Sequence, residues 1–124
     1  EHIAMANHKT APYGKAAMQT LQKLNLWDIL RPLVVQGENI SQTFQFVASQ
    51  NAELGFVALS QVLDPKNNFK GKRWDVPETL YEPIEQDAII LKKGENNPGV
   101  KDLWQYLKSE QAKLILKKYG YDLP

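Results

Sequence analysis

Short apolar runs alternate with stretches of helical periodicity through the first sixty residues. His2 to Ala6 is a brief, mostly apolar run that stops at Asn7, the pattern of a buried strand running into a loop. From Pro12 onward Ala17, Leu21 and Leu24 fall at i, i+4 and i+7, with Gln19, Gln22 and Lys23 on the other side. That predicts an amphipathic helix ending near Asn25, with one more turn over Leu26 to Leu30. Pro32 blocks further helix, and Leu33-Val34-Val35, closed by Gly37, reads as a second strand. Asn39 suits an N-cap, with Gln42 three residues on, and Ile40, Phe44 and Val47 form the apolar stripe of a helix to about Ser49. Gly55 to Leu59 reads as a third short strand. The order strand, helix, strand, helix, strand is what parallel α/β units require.

The second half is more polar. Asp64 to Val76, with Lys66-Asn67-Asn68 and Gly71, reads as an exposed loop, and Pro77 to Tyr81 as a short turn. Ile84 to Leu91 is predicted as a longer strand because Ala88-Ile89-Ile90-Leu91 is continuously apolar. Asn97-Pro98 opens a helix with Val100, Leu103, Trp104 and Leu107 on one face. Ser109 caps a last helix in which Ala112, Ile115, Leu116 and Tyr119 are the apolar side. Lys113, Lys117 and Lys118 lie outside that stripe, and Gly120 is the stop. The fold class expected is α/β, a mostly parallel sheet flanked by helices in three layers.

At 124 residues the chain suits one domain with a core. Fifteen Lys and Arg against 14 Asp and Glu give a formal net charge of +1, so no global field attracts nucleic acid or membrane and any anion site must be local. No cysteine is present, which removes disulfides, thiolate metal sites and cysteine nucleophiles. No apolar run approaches the roughly 18 residues of a membrane span, and the first residues do not resemble a signal peptide, so the chain reads as soluble.

Candidate chemistry lies at two helix starts. Thr10-Ala11-Pro12-Tyr13-Gly14-Lys15 leads from a strand into a helix with no evident side-chain cap, and proline at the first helical position leaves the amides of Tyr13 and Gly14 facing outward. A helix N-terminus carries about half a positive charge and suits an oxyanion without any basic side chain. The second start, Glu38-Asn39-Ile40-Ser41, follows the second strand, and in a parallel sheet both would gather beyond the strands' carboxyl ends. Tyr13 and Ile40 would donate through the backbone, and Ser41 and Thr10 through hydroxyls, although such residues more often serve as caps. Glu38 should point away and Lys15 should be a solvated surface residue. His2 and His8 have no partnered nucleophile or third ligand, which argues against catalysis and against a metal cation site. Trp27, Trp74 and Trp104 are read as core and interface rather than base-stacking residues.

Several blocks in order carry a resemblance: Ala6-Asn7 with Ala11 to Ala17, Gly37-Glu38-Asn39-Ile40-Ser41, Gly55 to Gln61, Gln86-Asp87-Ala88 and Tyr119-Gly120-Tyr121. Together they make the chain resemble the carboxyl-terminal half of periplasmic molybdate-binding proteins, the substrate-binding components of molybdate ABC transporters. The resemblance implies a two-lobed, non-enzymatic protein of the type II periplasmic-binding class, with no cofactor, that closes on molybdate or tungstate. On that basis residues 1–92 form the second lobe, and 93–124 are terminal helices that pack near the hinge or the other lobe. It also implies an oxyanion site using Tyr13 and Ile40, with Gly14, Asn39 and Ser41 beside them, a permease as partner, and a periplasmic location with a signal peptide upstream. Some members add a tyrosine hydroxyl, and the matching position here is Ala58. The amino-terminal lobe with its hydroxyl ligands is missing from this chain, and apolar surface left uncovered would favour self-association. Molybdate presents only acceptors, so a pocket made of donors rejects protonated phosphate. The alternative implied is an oxyanion-sensing regulatory domain of the same fold.

Overall fold

Ile3, Ala4, Met5 and Ala6 are all buried, and they form the central strand β1 (Ile3–Ala6) of the sheet in a computed structural model that describes residues 1–67 and 71–123. Burial on both faces is what a central parallel strand requires. β1 pairs in parallel with β2 (Val34–Gly37) from Ile3↔Val34 to Ala6↔Gly37, and with β3 (Leu54–Gly55) through Ile3↔Leu54 and Ala4↔Gly55. The order is β2-β1-β3.

Helices cover both faces. Successive strand residues point opposite ways, and Met5 packs with Ala17 and Leu21 of α1 (Pro12–Lys23). Trp27, Leu30, Val34 and Phe56 are partly buried against that cluster. On the other face Val47 of α3 (Ile40–Ala48) lies over Gly55 beside Ala4. The buried hydroxyls of Thr20 and Thr43 donate to the carbonyls of Ala16 and Asn39, both at 2.9 Å, so neither is left unsatisfied in the core.

Local chemistry sets the helix ends. α1 and α3 both finish in Schellman motifs: Leu26 N–H reaches Leu21 O at 2.8 Å and Asn51 N–H reaches Phe46 O at 2.9 Å, with Asn25 and Gln50 at positive φ of 57° and 62°. Between α1 and β2 come α2 (Trp27–Leu30) and a 3₁₀ turn at Arg31–Leu33 around Pro32. The chain divides into compact units at Ile84, and from Glu85 onward the second unit holds α5 (Pro98–Leu107) and α6 (Glu110–Lys118). Asn97 caps α5 and Ser109 caps α6, as their sequence positions predict, and Gly120 terminates α6 at φ 79°. Among the described residues no helix is long and apolar enough to cross a membrane.

Two expectations are corrected. The segment Ile84 to Leu91 forms no strand: it has no ladder partner, and Ile89 and Leu91 are 82% and 70% exposed. A continuous apolar run favours burial but does not supply a pairing partner, and this segment stays irregular. β3 is two residues long rather than five, because after Phe56 N–H bonds to Ala4 O at 2.9 Å the chain turns into α4 (Leu59–Leu63), a helix absent from the sequence reading. Trp74, expected in the core or at an interface, is 60% exposed, which excludes only the core. The loop expected over Asp64 to Val76 lies partly outside the described residues, at 68–70. The turn expected at Pro77 to Tyr81 is present as a 3₁₀ turn over Glu78–Leu80.

Candidate functional site

Parallel pairing brings the carboxyl ends of β1 and β2 side by side. Ala6 and Gly37 are register partners, and Asn7 N–H extends the ladder by donating to Gly37 O at 2.8 Å. α1 and α3 begin a few residues beyond this rung, each seated on it by a glycine. A Cβ on Gly14 would collide with Ala6 O and lie 2.7 Å from the carbonyl carbons of Ala6 and Asn7. A Cβ on Gly37 would lie 2.9 Å from Thr43 N. Only hydrogen at these two positions allows the helix starts to rest on the strand ends.

α1 opens as expected. Its N-cap Ala11 has no side-chain acceptor, Pro12 occupies the first position, and the first bond to a carbonyl of the helix start is Lys15 N–H to Ala11 O at 3.1 Å. The N–H groups of Tyr13 and Gly14 precede that pattern and project from the helix start. Gly14 is buried and Tyr13 half-buried. Lys15, in the first turn, is exposed and engaged by Glu82, its Nζ 2.7 Å from Oε2, so this cation is committed to a surface pair.

α3 opens differently. Asn39 Oδ1 accepts from Gln42 N–H at 2.9 Å, Gln42 Oε1 accepts from Glu38 N–H at 2.8 Å, and Thr43 N–H returns to Asn39 O at 3.1 Å. Neither the Asn39 cap nor the Gln42 bond uses the N–H groups of Ile40 and Ser41, which belong to the first turn of α3. Ile40 is half-buried, whereas Glu38, Asn39 and Ser41 are exposed. The Asn39 side chain is therefore occupied as a cap, and the donors of this start are main-chain groups.

Gln61 escaped the sequence reading. It is half-buried in α4, its Oε1 accepts from Ala58 N–H at 3.0 Å, and its Nε2 donates to Ile40 O at 3.2 Å. A glutamine three residues into a helix is a capping signal, hidden here because Gly55 to Leu59 reads as strand. Ala58, the N-cap of α4, is buried. His8 stacks edge-on against Trp27 at 5.4 Å, a packing role. Among the described residues no group of three or more His, Cys, Asp or Glu is placed to hold a metal cation.

An α/β lobe with two uncapped or partly capped helix starts seated on adjacent parallel strand ends is the architecture of a solute-binding lobe. A family model described as bacterial extracellular solute-binding protein matches residues 2–122, and the chain belongs to that family. The chain is 52% identical over 123 residues to the molybdate-binding protein ModA of Azotobacter vinelandii, covering 99% of this chain and 49% of that protein. It is 46% identical to ModA of Rhodobacter capsulatus, covering 98% and 47%. The solved periplasmic molybdate-binding protein of Azotobacter vinelandii superposes with a TM-score of 0.90 at 36% identity, over all of this chain and 55% of that one. The chain thus spans about half the length of the relatives it matches.

Proposed function

We propose that this chain is the second lobe of a two-lobed oxyanion receptor, and that it contributes backbone amides at the starts of α1 and α3 to a site for molybdate or tungstate. Tyr13 and Ile40 are the principal contacts, with Gly14, Ser41 and Asn39 forming the surrounding backbone. The observation that carries the reading is the pair of helix starts beside the Ala6↔Gly37 rung, one without a side-chain cap and the other with a cap that does not use the Ile40 and Ser41 amides. The similarity to molybdate-binding proteins over 98–99% of the chain supports the choice of ion.

In this reading the protein delivers its ion to an ABC transporter permease from the periplasm and catalyses nothing. Residues 1–92 supply the lobe and 93–124 the terminal helices. Leu103 and Leu114, 57% and 68% exposed, support a role for the terminal helices in association with the remaining half of such a receptor or with a second copy. Calorimetric titration with sodium molybdate and with phosphate at neutral pH tests the assignment. Saturable heat with molybdate and none with phosphate is expected, and the reverse preference overturns it.

A further inference from the structure

Gln61 joins α4 to the start of α3, one of the two helix starts of the proposed site. Its carboxamide accepts from Ala58 N–H at 3.0 Å, capping α4, and donates to Ile40 O at 3.2 Å, on a residue 21 positions away in α3. The back of α4 is fixed as well, since Asn67 Nδ2 donates to Gln61 O at 2.7 Å. The other side-chain bonds at the α3 start, from Asn39 and Gln42, stay within that segment. The Gln61 bond ties it to a neighbouring element.

The atom it grips matters. Ile40 O and Ser41 N–H belong to one planar peptide unit, so fixing the oxygen fixes the direction of the N–H. A donor on the oxygen also polarises the unit and strengthens its N–H as a donor. We propose that Gln61 is a positioning residue for the oxyanion site, holding the Ile40–Ser41 peptide so that Ser41 N–H is preorganised toward the anion. This rests on the oxyanion reading above.

Two variants test it. Gln61→Met removes both bonds at similar volume. Gln61→Glu keeps an acceptor for Ala58 N–H, and at neutral pH its carboxylate cannot donate to Ile40 O. The readouts are the Ser41 amide proton resonance of the ligand-free, ¹⁵N-labelled chain and the affinity for sodium molybdate. Circular dichroism verifies folding, and the Glu variant alone carries the test if the Met variant does not fold. Both variants are expected to move the Ser41 amide upfield and to weaken molybdate binding roughly three- to tenfold. An unmoved Ser41 resonance, affinity within about twofold of the parent, or retention of affinity by the Glu variant alone overturns the proposal, the last because it reduces Gln61 to a cap. A parent chain that ignores molybdate overturns the oxyanion reading and this inference together, whereas parent binding with indifferent variants overturns this inference alone.

Discussion

Asn7 N–H donates to Gly37 O at 2.8 Å, so the segments leading into α1 and α3 diverge from a single rung at the carboxyl end of the sheet. Everything proposed for the site depends on that rung. It sets both helix starts beyond adjacent strand ends, where main-chain donors suit an anion with no basic side chain involved.

Ile40→Pro separates binding from folding. Ile40 is the first residue of α3, where proline is favourable, and Asn39 before it is already extended at φ −148° and ψ 171°, as a residue preceding proline must be. Stability should change by less than about 1 kcal/mol, while loss of the N–H should weaken molybdate binding at least about tenfold. Parallel urea unfolding and calorimetry check both halves of the expectation.

Gly14→Ala should damage the fold and the site together. The added methyl meets Ala6 O and the backbone carbons at 2.7 Å, and strand backbone cannot move aside. A loss of about 1–3 kcal/mol is expected from urea midpoints. An unchanged midpoint would show that α1 does not rest on β1 as described.

Gln50→Gly should stabilise the chain. Gln50 sits at φ 62° after α3, in the left-handed region that side chains resist. Relief of that cost outweighs the added freedom of glycine in the unfolded chain, and a gain of about 0.5 kcal/mol is expected in thermal or urea unfolding.

The Lys15–Glu82 pair predicts an acid-sensitive increment of stability. The Lys15 ammonium, bonded at 2.7 Å, and then Gln19 hold the Glu82 carboxyl below its ordinary value of 4.5. A group whose folded value is depressed contributes above the unfolded value and loses that contribution as pH falls through the folded one. Glu82→Gln should therefore be less stable than the parent at pH 6, and the difference should shrink below pH 4.5. The exposed pair makes the increment small, and raising the salt concentration should reduce it. A difference that persists unchanged into acid would assign the effect to packing.

Much of the first sixty residues was legible because local rules and the fold agree there. Pro12, Asn39 and Gly37 announce helix starts and a strand end, and the structure puts each within a residue or two of its expected place. Legibility failed where pairing partners decide the outcome. Ile84 to Leu91 has the composition of a strand and pairs with none among the described residues, and Gly55 to Leu59 is cut short by a turn into α4. The contact of Gln61 with Ile40 was invisible for the same reason, since it joins residues 21 apart through tertiary structure. At the proposed site, Pro12 marked one helix start, and the pairing of Asn39 with Gln42 three residues on marked the other as a side-chain cap, which the structure bears out at 2.9 Å.

In the proposed site, anion binding uses amides at the starts of α1 and α3. A ¹H–¹⁵N correlation titration of the purified chain with sodium molybdate tests it most directly. Concentration-dependent shifts are expected at Tyr13, Gly14, Ile40 and Ser41, with Gly99 and Gly120 of the second unit unmoved. Shifts absent from those four amides, or centred elsewhere in the chain, would contradict it.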